Sequence, residues 1–250
     1  MAMCVRLPTA TIQGPARRRQ LDGETLANGQ LEVLGLLAGS SNYTFLARLG
    51  EDPEALAVYK PRRGETPLWD FMSGTLCNRE VAAHLVCCSA GWGLVPPTIL
   101  RDGPLGIGAV QQFIEHDPAV TAFDLADGHR RELMQIALFD VIVNNADRKA
   151  GHVLIDVQGS IWGIDHGLCF HEDPKLRTVL WDFIGEPIPE QDLLAVEGLL
   201  RAFEGELGVS LGSLLEPAEL EALDRRARSV VDNKVFPRPG PGRPYPWPPI

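Results

Sequence analysis

The apolar period of the chain shifts from mainly alternating to mainly helical after residue 120, and that change limits the folds open to it. Before it, the segment from Leu31, LEVLGLLAGSSNYTFLARLGEDPEALAVYKP, reads as three β-runs separated by a Gly/Ser turn and by a polar turn at Asp52 and Pro53. Two more strands are expected around Leu94 to Leu100 and Gly106 to Ile114, joined through Asp102, Gly103 and Pro104. Residues 77–90 place Val81, Leu85 and Cys88 on one helical stripe, and Gly91 closes that helix. After residue 120 the spacing becomes helical, with Leu133, Ile136, Ala137, Asp140 and Val141 at i, i+3, i+4 steps. Residues 189–231 read as two amphipathic helices, and the tail PRPGPGRPYPWPPI from Pro237 reads as extended polyproline. The order of elements predicts an α+β architecture: a small antiparallel sheet with one helix, then a mainly helical half. The expected boundaries are a flexible basic arm over 1–22, the sheet part over 23–115, the helical part over 116–236 and the tail over 237–250.

Composition narrows the partners. With 250 residues the chain can bury one large core or two associated ones. A formal charge of −10 argues against nucleic acid, whose binding needs clustered Lys and Arg. Five cysteines, an odd number without CxxC spacing, imply neither a disulfide framework nor a zinc site and point to a reducing cytoplasm. No segment approaches the roughly 18 apolar residues of a membrane span, so stable membrane anchoring is not expected.

The chemistry concentrates in residues 144–170, NNADRKAGHVLIDVQGSIWGIDHGLCF. Two short β-runs joined at Gln158, Gly159 and Ser160 form a hairpin, with Asp147 in the loop before it, His152 at its start and Asp165 after its second strand. A loop carboxylate can take the proton of an attacking hydroxyl, while groups at the open end of a hairpin can converge on a metal carried by a triphosphate. Asp140, on an apolar helix face, is expected to orient this loop by hydrogen bonds, and Asp182 to brace it from the helical half.

These residues resemble the catalytic segment of the atypical kinases related to phosphatidylinositol 3- and 4-kinases and to HipA-type bacterial kinases. NADRKAGH is similar to their N-x-D-R-x-x-x-N loop, and IDHGLCF to their I-D-N-G-L-x-F segment. The resemblance implies a two-lobed protein-kinase-like fold that uses ATP and Mg²⁺ or Mn²⁺. It implies Asp147 as catalytic base or hydroxyl-orienting residue and Asp165 as metal ligand, with His152 as the second. In the sheet lobe it implies that Gly39, Ser40 and Ser41 cover the phosphates, that Lys60 contacts them and that Glu80 holds Lys60 by an ion pair. Gln112, Phe113 and Ile114 fall where kinase hinges bind adenine.

His152 and His166 stand where those families carry asparagine. Imidazole is a softer ligand than the oxygen donors Mg²⁺ prefers, so Mn²⁺ is expected to serve at least as well. The expected activity is transfer of the γ-phosphate to a hydroxyl of a protein or small molecule rather than a lipid. Two alternatives stand beside it: a metal-dependent phosphohydrolase using Asp147, His152, Asp165 and His166, and a pseudokinase acting as an interaction module.

Overall fold

A computed structural model describes residues 21–37, 42–126 and 128–250. The chain opens with α1 (Gly23–Asn28), started by the Asp22 carboxylate accepting from the Thr25 N–H at 2.7 Å. A five-stranded antiparallel sheet follows, built from β1 (Leu31–Leu36), β2 (Phe45–Leu49), β3 (Leu56–Pro61), β4 (Thr98–Gly103) and β5 (Gly106–Gln112). Its order, β1-β2-β3-β5-β4, puts β3 at the centre. The period of two then fixes which side chains face where: Ala57 and Tyr59 enter the sheet's own core, while Val58 and Lys60 line the cleft on the other face. Helix α2 (Leu76–Ser89) lies between β3 and β4 in sequence, and the Glu65 carboxylate accepts from the N–H groups of Leu76 and Cys77 at its start.

The second half holds α3 (Ala122–Leu125), α4 (Arg130–Val143), the hairpin β6 (Val153–Ile155) and β7 (Ile161–Gly163), then α5 (Glu190–Phe203), α6 (Glu206–Gly212) and α7 (Pro217–Asn233). The main core joins Ile136, Phe139 and Ile142 of α4 to Val196 and Leu199 of α5 and Leu223 and Val230 of α7, and it also takes in Val86 of α2. The architecture is the expected α+β, two-lobed, kinase-like one. No helix among the described residues is long and apolar enough to cross a membrane.

Three local details depart from the sequence reading. The helical run after residue 120 is broken into α3 and α4, with Gly128 between them and a capping box of Thr121 and Asp124 closing the start of α3. The two helices expected over 189–231 are three, because Gly205 interrupts after α5 and Pro217 restarts the chain as the first residue of α7. Helix α1, at the start of the 23–115 part, precedes the first strand where the sequence reading has no helix. The tail runs without helix or strand against the helical half, where the Pro244 carbonyl accepts from the Thr178 N–H at 3.1 Å and the Trp181 Nε1–H at 3.0 Å.

Gly108 faces the end of β3, and a Cβ there would stand 2.5 Å from the Lys60 carbonyl oxygen and 2.6 Å from the Pro61 Cα. Both contacts are backbone, so the strand itself would have to move. Gly108→Ala is expected to destabilise the fold by about 1–3 kcal/mol in urea unfolding, and to weaken any ligand contact that depends on Lys60.

Candidate active site

The site is assembled by three strand and helix ends that meet across the two lobes. Lys60, near the end of β3, places its Nζ 2.5 Å from Glu80 Oε1 on α2 and 2.9 Å from Asp165 Oδ1 just after β7. The other Glu80 oxygen accepts from the His166 N–H at 3.1 Å. One carboxylate thus ties the sheet lysine to the segment that follows the hairpin. Burial by itself would lower the Lys60 pKa, but the two carboxylates outweigh it and hold the amine charged, with its pKa raised. Burial likewise pushes the Asp165 pKa up, and Lys60 and His152 reverse that, leaving it lowered. Although Asp165 sits deep in the cleft, 46% of its side chain stays open, enough for a ligand to reach it. Its backbone is left-handed, with φ of 62°, a conformation an L-residue holds only when its surroundings impose it.

The loop before the hairpin is held by a buried polar network. Arg148 is fully buried, and its Nε and Nη2 donate to the equally buried Asp140 of α4 at 3.0 to 3.1 Å. Its Nη1 donates to the carbonyls of His152 at 3.2 Å and Ile164 at 2.7 Å, the two backbone positions flanking the open end of the hairpin. Asn145 adds a bond from Nδ2 to Asp140 and accepts from the Asp147 N–H at 2.9 Å, and Thr178 Oγ1 lies 3.4 Å from Asp140. Asp140 thus orients the loop, as its position on the apolar helix face suggested. Asp182 is exposed, and Thr178 makes the bracing contact assigned to it.

Asp147 emerges from this frame into the cleft. Burial raises its pKa, the Lys149 Nζ at 3.2 Å lowers it, and the nearby Asp165 charge raises it again; the net direction is up. Burial pushes the His152 pKa down to about 4, so the imidazole is neutral at physiological pH, with Nε2 3.4 Å from Asp165 Oδ2. Its Nδ1 faces the Lys149 N–H at 3.5 Å, at the outer limit of a hydrogen bond.

Lys60, Glu80, Asp147, His152 and Asp165 therefore line one cavity of about 910 Å³. Gly39, Ser40 and Ser41 lie outside the described residues. Of the three residues expected at the hinge, the Gln112 N–H donates to Pro97 and the Phe113 N–H to Leu56, while the Ile114 N–H has no partner among the described residues. His166 does not face the cleft: its Nε2 lies 2.7 Å from the Arg148 Nη2, and the buried ring is held neutral. Sequence reasoning missed Arg148 as the organiser of the loop, although it stands beside Asp147 in the same motif. It also missed Trp247, Pro248 and Ile250 of the tail, which line the cavity.

Among the described residues no group of three His, Cys, Asp or Glu side chains is arranged to hold a metal alone. The donor chemistry still fits a cation shared with phosphates, which takes only one or two protein ligands. With Lys60 on Oδ1, Asp165 Oδ2 and the neutral His152 Nε2 are the pair that would hold it. Ligation through Nε2 needs the proton on Nδ1, which would give up the contact with the Lys149 N–H.

Fold and site together define a protein of kinase-like architecture whose central segment is similar to phosphatidylinositol 3- and 4-kinases. The phosphatidylinositol 3- and 4-kinase family profile matches residues 101–193. The chain belongs to the same family as protein Rv2133c of Mycobacterium tuberculosis, to which it is 43% identical over 259 aligned positions that cover 89% of this chain and 93% of that protein. Phosphatidylinositol 4-kinase gamma 4 of Oryza sativa subsp. japonica is 28% identical over 178 positions, covering 60% of this chain and 31% of the rice protein. Among solved structures, the Helicobacter pylori proinflammatory kinase CtkA matches with a TM-score of 0.53 at 13% identity, covering 84% of this chain and 94% of CtkA. Hydra Fam20, solved with sugar, matches with a TM-score of 0.51 at 14% identity, covering 84% and 87%. At such identities these two likenesses concern the fold.

Arg148→Met would leave the Asp140 carboxylate buried without its partner. The expected cost is about 3–5 kcal/mol, read as a lower urea midpoint, whereas Thr178→Val is expected to cost about 0.5–1.5 kcal/mol.

Proposed function

We propose that the chain is an ATP-dependent kinase that transfers the γ-phosphoryl group to a hydroxyl of a small molecule or protein. The observation that carries this reading is the position of Lys60, bonded at once to Glu80 of α2 and to Asp165 in the cavity that also holds Asp147. Kinases need a lysine held by a helix glutamate to engage the α- and β-phosphates, and an aspartate beyond the hairpin for the cation.

The residues then divide the work. Lys60 exchanges its contact with Asp165 for the phosphates, and Glu80 keeps the ammonium aimed as it does so. Asp165 and His152 would hold a divalent cation, which would supply positive charge against that of the phosphates. Asp147 orients the acceptor hydroxyl and accepts its proton, a task suited by the upward direction of its pKa. The acceptor oxygen forms its bond to the γ-phosphorus as the bond to the bridging oxygen breaks, and ADP departs with that electron pair. Ile114 offers a backbone N–H to adenine. The formal charge of −10 speaks for an acceptor that is neither nucleic acid nor an anionic membrane surface, and the cysteine usage for a reducing cytoplasm. The phosphohydrolase reading needs His166 as a fourth ligand, and its ring is turned into the Arg148 network instead.

Nucleotide at about 100 times its dissociation constant is expected to stabilise the protein by about 2.7 kcal/mol, and Lys60→Ala to abolish that gain. Asp147→Ala is expected to keep binding while lowering phosphoryl transfer from γ-labelled ATP by about 10²–10⁴-fold. Mn²⁺ is expected to support at least the rate seen with Mg²⁺, an advantage lost in His152→Ala. A wild-type protein that ATP does not stabilise with either metal rules the reading out; one that binds ATP without any turnover is a pseudokinase.

A further inference from the structure

The tail reaches the cleft in a fixed path. Pro244 is held through its carbonyl by Thr178 and Trp181, and the Pro249 carbonyl accepts from the Ala150 N–H at 2.8 Å, three residues beyond Asp147. Between these fixed points the chain presents Trp247 to the cavity shared by Lys60, Asp147 and Asp165, with Ile250 beside it. The Arg243 guanidinium lies 5.0 Å from the centre of the indole ring.

Trp247 is nonetheless 74% exposed and Ile250 65% exposed. A segment that closed the cleft against its own substrates would bury its largest ring there, and about 910 Å³ remains open. A proline-rich backbone also fixes its dihedral angles before any ligand arrives, so the indole is held ready at little entropic cost. The same bonds limit what can bind beside it. Pro249 occupies the Ala150 N–H and Pro244 the Thr178 N–H, so these two donors are closed to an extended polypeptide that would pair with the loop backbone. What remains on offer is an aromatic face backed by a cation.

We infer that Trp247, backed by Arg243, is the contact platform for the hydroxyl acceptor, and that the acceptor is a small molecule with a flat ring face that stacks on the indole. This rests on the kinase reading, which leaves the acceptor open. Stacking of a ring on an aromatic side chain is tolerant of ring identity, so the class follows and the compound does not.

The test uses the full chain labelled with fluorotryptophan, the Trp247 resonance being assigned with Trp247→Phe. Uridine, methyl glucoside and a serine-containing peptide are titrated with and without ATP and Mg²⁺, and ATP affinity is measured in parallel. A saturable shift of the Trp247 resonance by a ring compound is expected. Trp247→Ala should weaken that compound's binding by about tenfold or more, Trp247→Phe should retain most of it, and neither should alter ATP affinity. A shift with the peptide alone, no shift with any probe, faster turnover of ATP once the indole is removed, or loss of ATP affinity in Trp247→Ala overturns the platform. If the wild type fails to bind ATP while a ring compound still shifts Trp247, the kinase reading falls and the ring site stands.

Discussion

The buried pair of Arg148 and Asp140 is the contact on which the rest of the site depends. A guanidinium has five N–H donors in a fixed plane, and here they are divided among a helix carboxylate, two hairpin carbonyls and an imidazole. The pair is costly to desolvate, and it repays that cost only because its remaining hydrogen bonds are made. Its effect is geometric. It fixes the backbone at His152 and Ile164, and so sets where the imidazole of one and the neighbouring Asp165 emerge into the cleft. A lysine in its place could not span the same set of acceptors.

Much of this was readable in the sequence because each functional residue sits at a local signal. Lys60 is at the end of an alternating strand, Asp147 follows a helix stop at Asn144, which takes the left-handed conformation with φ of 54°, and Asp165 follows a hairpin. Other features carry no such local signature. Nothing in the identity of His166 says whether its ring turns to the cleft or to Arg148; that is decided by a guanidinium 18 residues away in sequence. The path of the tail was equally hidden, since a polyproline segment has no internal hydrogen bonds and no apolar period to say which surface it meets. The helix breaks near Gly128 and Gly205 are masked in the sequence because apolar residues continue at helical spacing across them.

Electrostatics gives the cleft a defined arrangement. Three carboxylates, Glu80, Asp147 and Asp165, lie around two lysines and a neutral imidazole: Lys60 is shared between Glu80 and Asp165, and Lys149 pairs with Asp147. In the proposed reaction the phosphates would take Lys60 and a cation would take Asp165, so neither charge would be left stranded. The same logic explains why Glu80 has its second oxygen on the His166 N–H: its position stays defined while its lysine changes partner.

Helix α2 belongs to the sheet lobe by sequence, yet several of its bonds reach into the helical half. Arg79 donates to the Cys169 carbonyl at 2.6 Å and pairs with Glu219 of α7 at 2.5 Å, Asn78 reaches the Leu214 carbonyl, and Val86 sits in the helical core. Swinging α2 outward would tear a buried ion pair and open the main core. The helix is held to the sheet as well, through Glu80 on Lys60 and the packing of Cys77 and Val81 on Ala109. Glu80 is thus a post rooted in the helical core, on which the sheet's lysine is set.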